Sequence, residues 1–243
     1  MQRFVLALIA SCCLAMAAAA PAEITIYASD TYRPISWLDE QGNPKGIALE
    51  AIDFVQKDTG LKLKAELLPW NRAYNLAKHG LGGIIGISFT PERAELFDYS
   101  PVLFDSGITL VMHKNRQIRY QSVADLSGKR IGALIGVSYG AELDQAAKNG
   151  VFEFVRDSSH SARLKNLLIG RIDAALFANA PAGLSQFVAN DPELKAHADE
   201  FLVFTKLFKD PIHIAFRKGS LDQATRSRLF QSFEKWAKQR ESR

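Results

Sequence analysis

Thr90-Pro91-Glu92-Arg93, with Ser88 two residues ahead of the threonine, is the arrangement in this chain that most clearly suggests chemistry. Thr90 is a good N-cap, Pro91 suits the first helical position and Glu92 the first turn, so a short helix over 91–97 is expected. Arg93 runs against that pattern. A cation in the first turn opposes the positive end of the helix dipole, at a cost of about 0.3–1 kcal/mol. Two readings are open. Arg93 pairs on the surface with Glu92, Glu95 or Asp98, a contact worth about 0–1 kcal/mol. Alternatively, its guanidinium, the Ser88 hydroxyl and the N–H groups at the helix start form an anion site, with the planar fork taking a carboxylate through two parallel hydrogen bonds.

Other chemistries find little support. The two cysteines, Cys12 and Cys13, both lie in the N-terminal segment. Met1-Gln2-Arg3 is a short positive stretch, Phe4 to Ala20 is apolar, and Ala20-Pro21-Ala22 fits a small-residue cleavage site before Glu23. Residues 1–22 are therefore expected to be a secretory signal peptide. At about 17 apolar residues the run is short for a membrane span. Ile9-Ala10-Ser11-Cys12 resembles a bacterial lipobox, so lipid anchoring at Cys12 is the alternative exit. A chain cleaved after Ala22 has no thiol and hence no disulfide, thiolate metal site or cysteine nucleophile. His79, His113, His160, His197 and His213 show no metal-ligand spacing, and G-x-S-x-G is absent. The net charge is +4, or +3 once Arg3 is removed, and no basic run of five or more occurs. No nucleic-acid partner, metal or cofactor is expected, and the molecule is expected to be a monomer.

The elements that must hold Arg93 and Ser88 follow from the pattern of apolar residues. Strands are expected at 23–28, 61–68, 84–88, 107–113, 130–134, 151–155, 174–178, 201–207 and 213–217. Helices are expected at 47–57, 71–79, 91–97, 141–148 and 161–169, most of them closed by a glycine, with a turn of helix at 123–126. The stretch from Ser29 to Gly46 reads as a loop. A last helix starts at Ser220-x-x-Gln223, a capping box, and turns Leu229, Phe233 and Trp236 inward. Such alternation is that of an α/β protein, and it starts afresh near residue 107, which suggests two lobes.

Four segments in this order and spacing, "YRPISWLDEQGNPKGIALEAI", "GISFTPERAELFDYSPVLF", "LSGKRIGALIGVSYG" and "LLIGRIDAALFAN", resemble the family 3 extracellular solute-binding proteins. The resemblance covers nearly all of the chain after residue 22. It implies a two-lobed periplasmic type II α/β fold, with mixed, mostly parallel sheets, helices on both faces and a two-strand hinge. Lobe 1 is expected at 23–106 plus 219–243 and lobe 2 at 107–218, with crossings at Asp105-Ser106 and Lys218-Gly219. It also implies a periplasmic receptor that hands a small carboxylate-bearing solute, an amino acid or a derivative, to an ABC permease.

By that resemblance Arg93 grips the solute carboxylate and Ser88 adds a hydroxyl. Tyr32 and Trp70 pack on opposite sides of the solute, the alternative being that Trp70 is simply core, and Asp30 contacts its side chain. Ser138 and Tyr139 either donate to the solute from a helix start or simply cap that helix. Asp173 is structural. Arg72, in "PWNRAY", supplies a second cation to the cleft or is an ordinary solvated helix residue. Where amino-acid receptors carry a carboxylate for the α-ammonium after "GRxDA", this chain has Ala178 followed by Asn179. The solute therefore lacks a free α-ammonium, or another residue holds it. A cyclohexadienyl-dehydratase-like enzyme on the same fold would need a cleft acid near Ala178, which the sequence does not offer, so no catalysis is expected. A sensory or partner-binding module without a transport role is the remaining alternative.

Overall fold

The computed structural model describes residues 23–178 and 180–242. The expected signal peptide with Cys12, and the candidate ligand residue Asn179, lie outside the described residues. In chain order the elements are β1 (Ile24–Ser29), β2 (Thr31–Tyr32), β3 (Ser36–Leu38), β4 (Pro44–Lys45), α1 (Ile47–Thr59), β5 (Leu63–Leu68), α2 (Trp70–Lys78), β6 (Gly83–Ser88), α3 (Pro91–Ala94) and β7 (Phe97–Tyr99). There follow β8 (Phe104–His113), β9 (Arg130–Leu134), α4 (Ala141–Lys148), β10 (Glu153–Asp157), α5 (His160–Leu168), β11 (Ala174–Ala178), α6 (Ala180–Ala189), α7 (Pro192–Ala196), β12 (Phe201–Arg217) and α8 (Gln223–Glu241). No helix among the described residues is long and apolar enough to cross a membrane.

The two halves of the fold share one continuous sheet, in the order β10-β9-β11-β8-β12-β6-β1-β5, with β7 also on β12. Its outer strands pair in parallel, β5 and β6 on β1 and β10 and β11 on β9. The central pairs are antiparallel. Each half buries its own core. Lobe 1 packs Ile26, Ile52, Val55 and Ile85 with Leu229, Phe233 and Trp236 of α8 on one face, and Tyr27, Trp70, Ile87 and Phe97 on the other. Lobe 2 packs Leu110, Ile131, Leu143 and Leu176 on one face, and Leu164, Leu167, Phe177 and Leu194 on the other. An apolar stripe recurring at helical spacing is what directs α8 to lobe 1, as its sequence leads one to expect.

Several elements differ from the sequence reading, each for a physical reason. The stretches 201–207 and 213–217, read as two strands, are one strand, β12. Lys209-Asp210-Pro211 reads as a break because proline cannot donate to a ladder, yet Pro211 sits opposite Asp105 within the pairing. Residues 201–204 pair with β8 in lobe 2, and residues 212–217 already pair with β6 and β7 in lobe 1. Helix α3 ends at Ala94, because Phe97–Tyr99 is drawn into the sheet as β7. The expected loop after β1 holds the small sheet β2-β3-β4. Its tight turn forms because the Asp39 carboxylate accepts the N–H groups of Gln41 and Asn43, at 3.0 and 2.7 Å. The cap of α8 is Asp222, whose side chain accepts from the Thr225 N–H, rather than a box begun by Ser220. Helices α6 and α7 were not foreseen. In α7, Asp191 caps and Pro192 opens the first turn.

Candidate functional site

The strands and helices that end at the junction of the lobes enclose a cavity. Tyr32, Trp70, Ser88 and Arg93 line it from lobe 1, Val137, Ser138, Tyr139, His160, Phe177, Ala178 and Phe187 from lobe 2, and Asp210 from the crossing strand β12. Among the described residues its walls carry six aromatic rings, the guanidinium groups of Arg33 and Arg93, and one carboxyl, that of Asp210.

Arg93 is buried, 7% exposed. Nη1 donates to the Ser88 carbonyl at 3.0 Å and Nη2 to the Gly136 carbonyl at 3.2 Å, while the guanidinium lies over the Tyr74 ring, 5.2 Å from its centroid. The surface-pairing reading does not hold. Among the described residues Arg93 has no carboxylate within ion-pair distance, because Glu92 is taken by Lys148 of lobe 2 and Asp98 by Arg226 of α8. The helix contribution expected at this site also falls away. Helix α3 is one turn long, and the Thr90 hydroxyl accepts the N–H of Arg93 itself, at 3.2 Å. Any anion here answers to the guanidinium, and little dipole remains for Arg93 to oppose.

Both serines expected to donate into the cleft spend their protons elsewhere. Ser88 Oγ donates to Asp210 Oδ2 at 2.9 Å. Ser138 Oγ donates to Asp144 Oδ2 at 2.5 Å, and Asp144 also accepts the Tyr139 N–H at 3.3 Å. Asp144, in the first turn of α4, thereby holds the donors that the resemblance reserves for a solute. Tyr139 is 2% exposed, and its hydroxyl accepts from Arg163 Nη1 and from the Leu134 N–H, both at 2.9 Å. It offers the cavity ring surface, not a free polar group.

Tyr32 and Trp70 both line the cavity, but they are not a matched pair of walls. Trp70 is buried in the lobe 1 core and stacks on Tyr74, with centroids 6.2 Å apart. Its Nε1–H donates across the cleft to the Gly136 carbonyl at 3.0 Å. Tyr32 donates its hydroxyl to Ser106 Oγ on β8 at 2.7 Å, and burial raises its pKa. Asp30 is half-buried at the outer mouth, beside Pro69, Ser159 and His160, and does not line the inner cavity. Desolvation raises its pKa. Arg72 is exposed on α2 and lines neither space, so of its two readings the solvated one stands. Asp173 accepts the Arg130 N–H at 2.7 Å and ties β11 to β9, a structural role as expected.

Asp210, His160, Phe177 and Phe187 are among the cavity residues that escaped the sequence reading, as is Arg33. Asp210 fell between the strands expected at 201–207 and 213–217. The lone acid between two apolar runs, "FTKLF" and "IHIAF", was the signal that could have found it. His160, Phe177 and Phe187 form a stack on lobe 2, His160 lying 4.3 Å from Phe187 and 5.4 Å from Phe177. Burial, reinforced by the Arg163 guanidinium, lowers the pKa of His160 well below its ordinary value. Its neutral Nδ1 accepts from Arg163 Nη2 at 2.5 Å. Arg163 has no acceptor role to play, so the ring proton must reside on Nε2. No group of three or more metal-ligating side chains occurs among the described residues.

Gly136 is the point where the lobes meet, because its one carbonyl receives both Trp70 and Arg93. Its φ is +76°, and a Cβ there would stand 3.2 Å from Asn71 Oδ1 and 3.7 Å from the Trp70 ring. Gly136→Ala should therefore cost about 1–2 kcal/mol of backbone strain and loosen the contact between lobes. Thermal denaturation and interlobe cross-linking yield measure both effects. An unchanged melting temperature with undiminished cross-linking would show that the close approach has no consequence.

The chain matches the family model of bacterial extracellular solute-binding proteins, family 3, over residues 24–222. The amino-acid-binding protein AabA of Dichelobacter nodosus is 24% identical over 215 residues, which cover 83% of this chain and 81% of that protein. The L-cystine-binding protein TcyJ of Escherichia coli K12 is 26% identical over 195 residues, 79% of this chain and 70% of that one. Among solved structures, an ancestral arginine-binding protein bound to arginine superposes with a TM-score of 0.71 at 22% identity, covering 89% of this chain and 92% of that one, and so shares the fold. These relatives are binding proteins rather than enzymes. The match runs from β1 through β12, and the chain belongs to the bacterial extracellular solute-binding proteins, family 3.

Proposed function

We propose that this protein is a periplasmic receptor that captures a small carboxylate-bearing solute, an amino acid or a derivative, between its lobes and delivers it to an ABC permease. Residues 1–22 serve as its export signal. The observation that carries the reading is the buried Arg93, which lines the cavity without a carboxylate partner among the described residues. Two of its five N–H groups reach backbone carbonyls, which leaves donors for a bidentate contact with a carboxylate. The names of the two relatives, one an amino-acid-binding and the other an L-cystine-binding protein, support the same solute class.

Lobe 1 is taken as 23–106 plus the chain from Ile212 onward, and lobe 2 as the segment between. The strands β8 and β12 form a two-strand hinge about which the lobes close. Contacts of Trp70 and Arg93 with Gly136, and of Glu92 with Lys148, hold the closed form. The Glu92–Lys148 pair is exposed and contributes little. A thermal-shift screen of amino acids, amino-acid derivatives, dicarboxylates and small peptides tests the solute class. A ligand at about 100 times its Kd stabilises by about 2.7 kcal/mol. A best hit that bears no carboxylate overturns the reading. With the hit in hand, small-angle scattering should show a smaller radius of gyration at saturation, and an unchanged one argues against closure.

A further inference from the structure

We infer that Asp210 is the residue that receives the ammonium group of the solute, so that Arg93 and Asp210 together select a zwitterion over a plain carboxylate. The inference rests on the carboxylate-capture reading above and names the second half of the same site.

Three observations carry it. First, Asp210 is a buried acid, 5% exposed, that lines the cavity. Among the described residues its carboxyl has one hydrogen-bond donor, the Ser88 hydroxyl at 2.9 Å, and no cation within ion-pair distance. A buried carboxylate without a cation is costly, and a solute ammonium entering the cavity supplies the missing partner. Second, Ser88 joins the two charges. Its carbonyl accepts from Arg93 Nη1, and its hydroxyl donates to Asp210. The guanidinium and the carboxyl therefore flank one residue, on its carbonyl and its hydroxyl, and line one cavity. Third, Asp210 is the only acid lining the cavity among the described residues; the lobe 2 wall after "GRIDA" carries the uncharged Ala178.

The charged and titratable groups acting on Asp210 are Arg93 of α3, Asp105 of β8 and Asp144 of α4, together with the neutral Ser88 on β6. Tyr32 and Arg33 of lobe 1 and Tyr139 and His160 of lobe 2 line the same cavity. Burial, the largest influence, raises the Asp210 pKa to about 6. An ion pair with ammonium requires the ionised form, so binding of an amine-bearing solute weakens as pH falls below that value.

Matched probes test the inference. The twenty common L-amino acids and their desamino counterparts, such as L-phenylalanine with 3-phenylpropionate and L-leucine with 4-methylpentanoate, are titrated calorimetrically into wild type, Asp210→Asn and Arg93→Ala. Asp210→Asn keeps an acceptor for Ser88 and removes only the charge, so a merely structural role survives it. The expected result is that wild type prefers the amine-bearing member of its best pair. Asp210→Asn should lose at least about thirtyfold in Kd for that amino acid and change little for the desamino acid. Between about pH 8 and about pH 5.5 the wild-type affinity for the amino acid should fall, while the variant stays flat. Equal binding of the amino acid by wild type and Asp210→Asn overturns the inference. Desamino acids that bind wild type as tightly as their amino acids, and lose binding in Arg93→Ala, overturn it too while leaving carboxylate capture intact. No binding by either series up to about 1 mM overturns both.

Discussion

Arg93→Ala should abolish solute binding, with a loss of about 2–5 kcal/mol, because a carboxylate drawn into a desolvated cavity is then left without its partner. Arg93→Lys should also bind poorly. Lysine brings a compact point charge and cannot reproduce the planar fork that addresses two oxygens at once. The fold itself should be nearly indifferent. Removing the side chain withdraws a donor from the Ser88 and Gly136 carbonyls, at up to about 1 kcal/mol each and less at Gly136, which keeps its bond from Trp70, but it also removes a buried cation that makes no ion pair among the described residues, and the two effects oppose one another. Isothermal titration of the hit from the screen, alongside thermal melts of the solute-free proteins, separates these effects. Undiminished affinity in Arg93→Ala would remove the anion site from this cleft.

Trp70→Ala should reduce stability by about 3–5 kcal/mol, the range for deleting a large buried aromatic side chain. The indole packs in the lobe 1 core against Tyr74 and also reaches Gly136 of lobe 2. Trp70→Phe separates those two roles. It retains most of the packing and loses the Nε1–H donor, so stability should change modestly, while about 1 kcal/mol of closure is lost, which is roughly fivefold in solute affinity. Chemical denaturation reports the first effect and calorimetric titration the second. If Trp70→Phe binds as tightly as wild type, the cross-cleft hydrogen bond does not contribute to capture, and Trp70 is a core residue only.

The wider fold was legible because its signals are local. Glycines past the ends of α1 and α5, period-2 runs in β1 and β5, and the apolar stripe of Leu229, Phe233 and Trp236 each need only a few neighbouring residues to be read. The misreadings arose where tertiary context overrode such signals. A proline broke the apparent run through Lys209-Asp210-Pro211, yet pairing with β8 on one side and β6 on the other keeps β12 continuous. Phe97–Tyr99 reads as the end of a helix, yet edge pairing on β12 makes it a strand.

The site divides along the same line. The sequence by itself determined that Arg93 would stand just after a strand of small residues, at a Thr90 cap, because hydroxyl spacing and helix-start preferences are properties of a few consecutive residues. It could not determine which partners would be left to Arg93. That depended on Glu92 finding Lys148, and Asp98 finding Arg226, 56 and 128 positions away. Nor could it tell where the serine protons would go, since Ser88 meets Asp210 across a separation of 122 residues. Charge complementarity in a cleft is set by which side chains share a desolvated space. Only the tertiary fold brought guanidinium groups, a lone carboxyl and aromatic rings into the same one.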